Sequence, residues 1–194
     1  GTPNCTSESS FTVTITATPV LADFANVSAC SSYILPTLTI GNYFTGINGT
    51  DTQLASGMAI NSDQTVYVYA SNGICSAQKQ FVVTINDNPS FTIDGACQGT
   101  NFVLEALPSS VSVNVSDYTF SWTNSNGDVL GSNSTVTVGE NGTYNVLITS
   151  NSSNCSVTEP YIANQTACSI QKGISPNNDG LNDGLDLTGY GVKK

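Results

Sequence analysis

The sequence predicts an all-β chain of tandem antiparallel β-sandwiches followed by a short C-terminal segment of different character. Three observations predict it. "CTSESSFTVTITATP" from Cys5 and "CSAQKQFVVTINDNP" from Cys75 align without gaps, with identities at Cys5/Cys75, Phe11/Phe81, Val13/Val83, Thr14/Thr84, Ile15/Ile85 and Pro19/Pro89. Six identities at one offset of 70 residues mark a repeat. Apolar and polar residues alternate along several short runs, the period of a half-buried strand. No window carries a 3.6-residue apolar stripe with helix caps.

In residues 1–19, Phe11, Val13 and Ile15 alternate with polar residues, and Pro19 cannot donate to a ladder. This stretch reads as the last strand of a preceding repeat. A first complete module is expected over 20–88, where "TVYVYA" (65–70) runs through Asn72-Gly73 into the repeated strand as a hairpin. A second is expected over 89–168. Its strands are "VSVNV" (111–115), "YTFSW" leading into Asn126-Gly127, and "STVTV" leading through Asn141-Gly142 into "TYNVLIT". Asn-Gly tolerates the positive φ of tight hairpin turns. Short strands at regular spacing between such turns indicate immunoglobulin-like or PKD-like modules in series.

Composition narrows the function. Four lysines, no arginine and no histidine face fourteen acids, a net charge of −10. A phosphate backbone is held by clustered Lys and Arg, so nucleic acid and anionic lipid are excluded as partners. No apolar run approaches the roughly 20 residues needed to cross a bilayer. The absence of an initiator Met and of a signal-peptide core leads us to expect a mature product or an excised fragment. Without histidine there is no Ser-His-Asp or Cys-His arrangement. Without arginine or a Gly-rich strand-to-helix loop there is no phosphate clamp. The acids show no spacing that singles out a catalytic pair. No catalytic residue is assigned.

Six cysteines without a CxxC pair suit disulfides formed in an extracytoplasmic compartment rather than a zinc site. Cys75 and Cys155 each precede a module's last strand, and Cys30 and Cys97 lie near each module's start. The expected pairs are therefore Cys30–Cys75 and Cys97–Cys155. By the same logic Cys5 would find its partner before residue 1, and Cys168 is unassigned. Trp122 is expected in a sandwich core. Tyr67 and Tyr69 share one strand face, and with Tyr43-Phe44 they form either cross-strand packing or a ligand surface. Nine Asn-x-Ser/Thr triplets occur, at Asn4, Asn26, Asn48, Asn114, Asn133, Asn141, Asn151, Asn154 and Asn164, in a chain whose composition produces such triplets by chance.

The segment 169–194 contains "ISPNNDGLNDGLD". Read as a calcium loop, with Gly180 at the glycine position, it would offer Ser175, Asn177, Asp179, Leu181, Asp183 and Asp186 as ligand positions, the side-chain oxygens being those of Asn177, Asp179, Asp183 and Asp186. Its first residue is Ser rather than Asp, and its last is a short Asp rather than Glu. No other cofactor is expected.

The same stretch, "GISPNNDGLNDGLDLTGYGVKK", resembles the opening of the type B C-terminal domain of proteins exported by the type IX secretion system of Bacteroidota. The matching residues are Ser175, Pro176, Asn177, Asp179, Gly180, Asn182 and Asp183; Asn178 stands where Gly is usual. "CSSYILPTLTIGNYFTGINGT" and "TVYVYASNGIC" resemble repeats of the gliding-motility adhesins of flavobacteria, with Asp51 where such repeats often have Gly. The resemblance implies a non-catalytic stalk of a secreted cell-surface adhesin. Its partners would be the secretion translocon, associated outer-membrane proteins and, at the surface, polysaccharide. It also implies that 169–194 is the beginning of a truncated signal domain. A carbohydrate-binding module of a secreted enzyme and a calcium-stabilised extracellular module are the alternatives. Exposure of Tyr43, Tyr67 or Trp122 would favour the former.

Overall fold

The structure, a computed structural model, describes residue 1 and residues 3–168. The chain divides into two compact units, Gly1–Ile85 and Asn86–Lys194.

The first unit contains β1 (Val27–Cys30), β2 (Tyr33–Ile34), β3 (Asn42–Phe44), β4 (Gln53–Leu54), β5 (Ala59–Ile60), β6 (Gln64–Ser71) and β7 (Ser76–Asn86). One sheet runs β1-β7-β6-β3-β4 and the other pairs β2 with β5. Alternation along β6 and β7 sends Val66, Val68, Phe81 and Val83 inward, where they meet Leu35, Tyr43, Leu54 and Ile60. Phe81 is the hub, stacked on Phe24 at 5.4 Å and met edge-on by Tyr33 and Tyr43, each at 6.4 Å. The β6–β7 hairpin turns at Asn72–Cys75. Gly73 adopts φ +91°, and the Asn72 Oδ1 accepts from the N–H groups of Ile74 and Cys75.

Tyr43 carries the one polar anomaly of this core. The residue is 1% exposed, and its hydroxyl has no hydrogen-bond partner among the described residues. Burial, and secondarily the neighbouring Tyr33, pushes its phenol above the ordinary value. A phenol that ionises less readily folded than unfolded costs stability as pH rises past about 10, where the unfolded chain loses the proton first. Tyr43→Phe is expected to stabilise the unit by about 1 kcal/mol, because it removes an unsatisfied group at nearly constant volume. It should also reduce the loss of stability between pH 8 and pH 11. Urea midpoints of the two proteins at both pH values check this, and a destabilised Phe variant would refute it.

Segment 1–19 departs from expectation. No strand is assigned before Val27 among the described residues. Phe11 is 88% exposed, whereas its repeat partner Phe81 is 3% exposed. An alternating pattern prepares a strand, but a ladder and an apolar face to cover it make one. Further along, Leu21 and Phe24 pack on the core, and Lys79 bonds Asp23 at 2.7 Å, which lowers the Asp23 pKa.

The second unit contains β8 (Phe91–Gln98), β9 (Asn101–Pro108), β10 (Tyr118–Asn124), β11 (Val129–Gly131), β12 (Thr135–Val138), β13 (Gly142–Ser150) and β14 (Ser156–Ala163). Its sheets are β11-β10-β13-β14 and β12-β9-β8. Phe102, Leu104 and Ala106 of one sheet share a core with Phe120, Trp122, Tyr144, Val146 and Ile148 of the other. The β10–β13 register sets Trp122 opposite Val146 and Phe120 opposite Ile148. The Trp122 Nε1–H donates to the Asn133 carbonyl at 2.9 Å. The Tyr144 hydroxyl donates to the Glu140 carbonyl at 2.6 Å, four residues upstream at the corner between the sheets. A buried Trp on the third strand and a tyrosine corner at the sixth are immunoglobulin-fold features, and both units are immunoglobulin-like sandwiches. Leu104 and Val146, both fully buried, occupy the middle of the second and sixth strands, where antibody domains carry their disulfide.

Two strand expectations in this unit are corrected. "VSVNV" is not a strand. The Asn114 side chain accepts from Ser116 N–H and opens a 3₁₀ turn at Val115–Asp117, while the Ser110 hydroxyl bonds Ser112. Such local side-chain bonds outcompete a ladder that has no open partner. Asn141-Gly142 is not a hairpin turn either. β12 pairs with β9 and β13 with β10 and β14, so the connection crosses between sheets, and neither residue adopts positive φ.

Candidate functional site

The cysteines fall out differently from expectation. Cys97 is bonded to Cys168, and Cys75 and Cys5 are free thiols. Cys30 and Cys155 are also disulfide-bonded. The expected pairs Cys30–Cys75 and Cys97–Cys155 are thus both corrected, and for one reason. In each unit the first strand runs in the same direction as the last. Asp23 lies beside Lys79, and Asn26 Oδ1 accepts from Val82 N–H, so the chain leading into β1 advances with β7. Cys30 therefore lies near the far end of β7 from Cys75, on the order of 30 Å away at strand rise. Disulfide Cα atoms sit within about 7 Å.

In the second unit Phe91 opens β8 against Tyr118, which is opposite Ser150, at the end where β14 begins. Cys155 lies at that end and Cys97 at the other. Beyond β14 the Thr166 N–H and hydroxyl donate to Asn141 Oδ1 and the Gly139 carbonyl respectively, at 3.0 Å each, holding the chain that carries Cys168. Sequence position near the start of a module could not reveal strand direction.

The aromatic candidates separate into two groups. Tyr43 and Trp122, 1% and 0% exposed, are core and carry no ligand surface. Tyr67 and Tyr69 project from the opposite face of β6 to the buried Val66 and Val68, and both are half-buried. Tyr67 is opposite Phe44 on β3, and the Tyr69 ring meets the Phe44 ring edge-on at 6.3 Å. A depression of about 270 Å³ in the second unit is lined by Asn124, Asn126, Leu130, Glu140 and Tyr144 among others.

Among the described residues, no group of three or more His, Cys, Asp or Glu could hold a metal ion. No helix there is long and apolar enough to cross a membrane. The secretion-motif residues Ser175, Pro176, Asn177, Asp179, Gly180, Asn182 and Asp183, and the calcium candidates Asn177, Asp179, Asp183 and Asp186, lie outside the described residues.

No family model matches the chain, and no curated protein matches it. Among solved structures, the N-terminal four Ig domains of Dscam1 isoform 6.9 match at 17% identity and TM-score 0.30, over 72% of this chain and 43% of that one. Domains A168–A170 of titin match at 13% identity and TM-score 0.30, over 72% of this chain and 61% of that one. The chain thus spans less than half the length of the Dscam1 chain. The immunoglobulin-like assignment rests on strand order, the Trp122 core and the Tyr144 bond.

Proposed function

We propose that this chain is a non-catalytic stalk section of a secreted cell-surface adhesin, exported by a type IX secretion system and used in surface attachment or gliding. The observation that carries the reading is the 70-residue repeat joined to the motif Ser175–Asp183. Disulfide-bonded sandwiches in series suit an oxidising, extracellular setting, where they extend reach and resist unfolding. The net charge of −10 keeps neighbouring stalks apart.

Export of the parent protein with residues 172–194 intact or scrambled tests the address. Scrambling is expected to abolish surface display and to accumulate the protein in the periplasm. Unchanged display would refute the secretion reading while leaving the stalk architecture untouched.

A further inference from the structure

The outward face of the β7-β6-β3-β4 sheet holds a set of side chains that neither the core nor the disulfides use. Tyr67 stands opposite Phe44 on one side and Gln80 on the other. Tyr69 stands opposite Gln78, and Phe44 is opposite Gln53 across β3–β4. Residues directly opposite in a ladder share a face. Three aromatic rings therefore lie half-buried amid three exposed glutamines.

The face is shaped as well as composed. The 3₁₀ turn Ile47–Gly49 folds over its Tyr69 end. A Cβ on Gly49 would stand 2.6 Å from Tyr69 Cδ1, and Gly49 adopts φ +71°, so glycine lets the backbone lie on the ring. The Asn48 N–H donates to Gln78 Oε1, which fixes that amide's orientation. Beside Phe44 and Tyr69 opens a cleft of about 510 Å³, with Asn42, Ser71 and Asn72 in its lining. That volume is in the range of small-ligand sites.

Charge decides the class of partner. In a chain of net charge −10, no acid and no lysine stands among these six face residues or lines the cleft. An anionic ligand would find no lysine there, and the carboxylate beside this edge, Asp51 against Gly46, would repel it. Ring faces offer broad apolar plates, and amides offer both donors and acceptors. A partner matching both is uncharged, with apolar C–H faces and many hydroxyls. We propose that this face binds a neutral oligosaccharide, one sugar ring lying on Tyr67 and its hydroxyls bonding Gln80 and Gln53. The inference stands on the first unit's own geometry and does not depend on the export route.

Native electrophoresis of the full chain through gels containing dextran, a soluble β-1,3-glucan or galactomannan tests it, with alginate as a polyanion control. At least one neutral polymer is expected to retard the protein and alginate is not. Tyr67→Ala should weaken the interaction roughly tenfold or more, while Tyr67→Phe keeps most of it. A thermal midpoint close to that of the parent shows the Ala variant folded; if it is not, Gln80→Ala, which is exposed, is expected to weaken retardation instead. Retardation by none of the neutral polymers, or by alginate alone, overturns the proposal. So does retardation unchanged in both variants. Concentration-dependent dimerisation in sedimentation that Tyr67→Ala abolishes, without glycan retardation, would assign the face to a second copy of the chain instead.

Discussion

Replacing Trp122 with alanine is expected to destabilise the second unit by about 3–5 kcal/mol. The side chain is fully buried on β10 opposite Val146, in a core that also includes Phe102, Leu104 and Ile148. Removing an indole from such a site loses its transfer free energy and leaves a cavity that sheets on both sides cannot fully close. The Asn133 carbonyl also loses its donor. Trp122→Phe separates the two contributions: it keeps most of the apolar volume and forfeits the hydrogen bond, for a smaller cost of about 1–2 kcal/mol. Urea unfolding followed by far-ultraviolet circular dichroism, analysed at matched slope, measures both. A loss below about 1 kcal/mol for the alanine variant would show that the core is not built around this residue.

Removing the Cys97–Cys168 disulfide should cost a similar amount. The bond closes a loop with a sequence separation of 71. In the chain-entropy description, a loop of that length is worth about 4 kcal/mol, through restriction of the unfolded chain. The bond ties the end of the first strand to the segment beyond the last, two elements that no single hairpin joins. The double variant Cys97→Ala/Cys168→Ala should therefore lower the unfolding midpoint of the second unit. Trp122, the sole tryptophan of the chain, reports that midpoint by fluorescence. Cys75→Ala, in the first unit and followed by far-ultraviolet circular dichroism, is the control. Its thiol is free and only weakly engaged, 3.6 Å from the Thr16 carbonyl, so its loss should fall within about 0.5 kcal/mol. If Cys75→Ala proved as costly as the double variant, the assignment of Cys75 as a free thiol would be wrong.

The Tyr43, Trp122 and Tyr67 positions show how far periodicity reaches. Alternation in "TVYVYA" is enough to place Val66 and Val68 on one face and Tyr67 and Tyr69 on the other, because strand geometry has a period of two and needs no partner to express it. "YTFSW" likewise marks Phe120 and Trp122 as a same-face pair. Alternation does not say which face is covered, and so the sequence left Tyr43 open to a ligand surface as well as to packing. It also misled at "VSVNV", whose serines and asparagine bond their own backbone.

What the sequence determined by itself was the all-β class, the 70-residue repeat and the strands β6, β7, β10, β12 and β13, since these follow from local alternation and from residue chemistry within a few positions. What only the tertiary structure decided was which strands are neighbours and in which direction they run. The two units share the order of their last strands, β7-β6-β3-β4 and β14-β13-β10-β11, yet the first strand joins β7 in one and β9 in the other. Disulfide pairing depends on that long-range geometry: cysteines at repeat-equivalent positions can bond only where the packed strands bring their Cα atoms within reach.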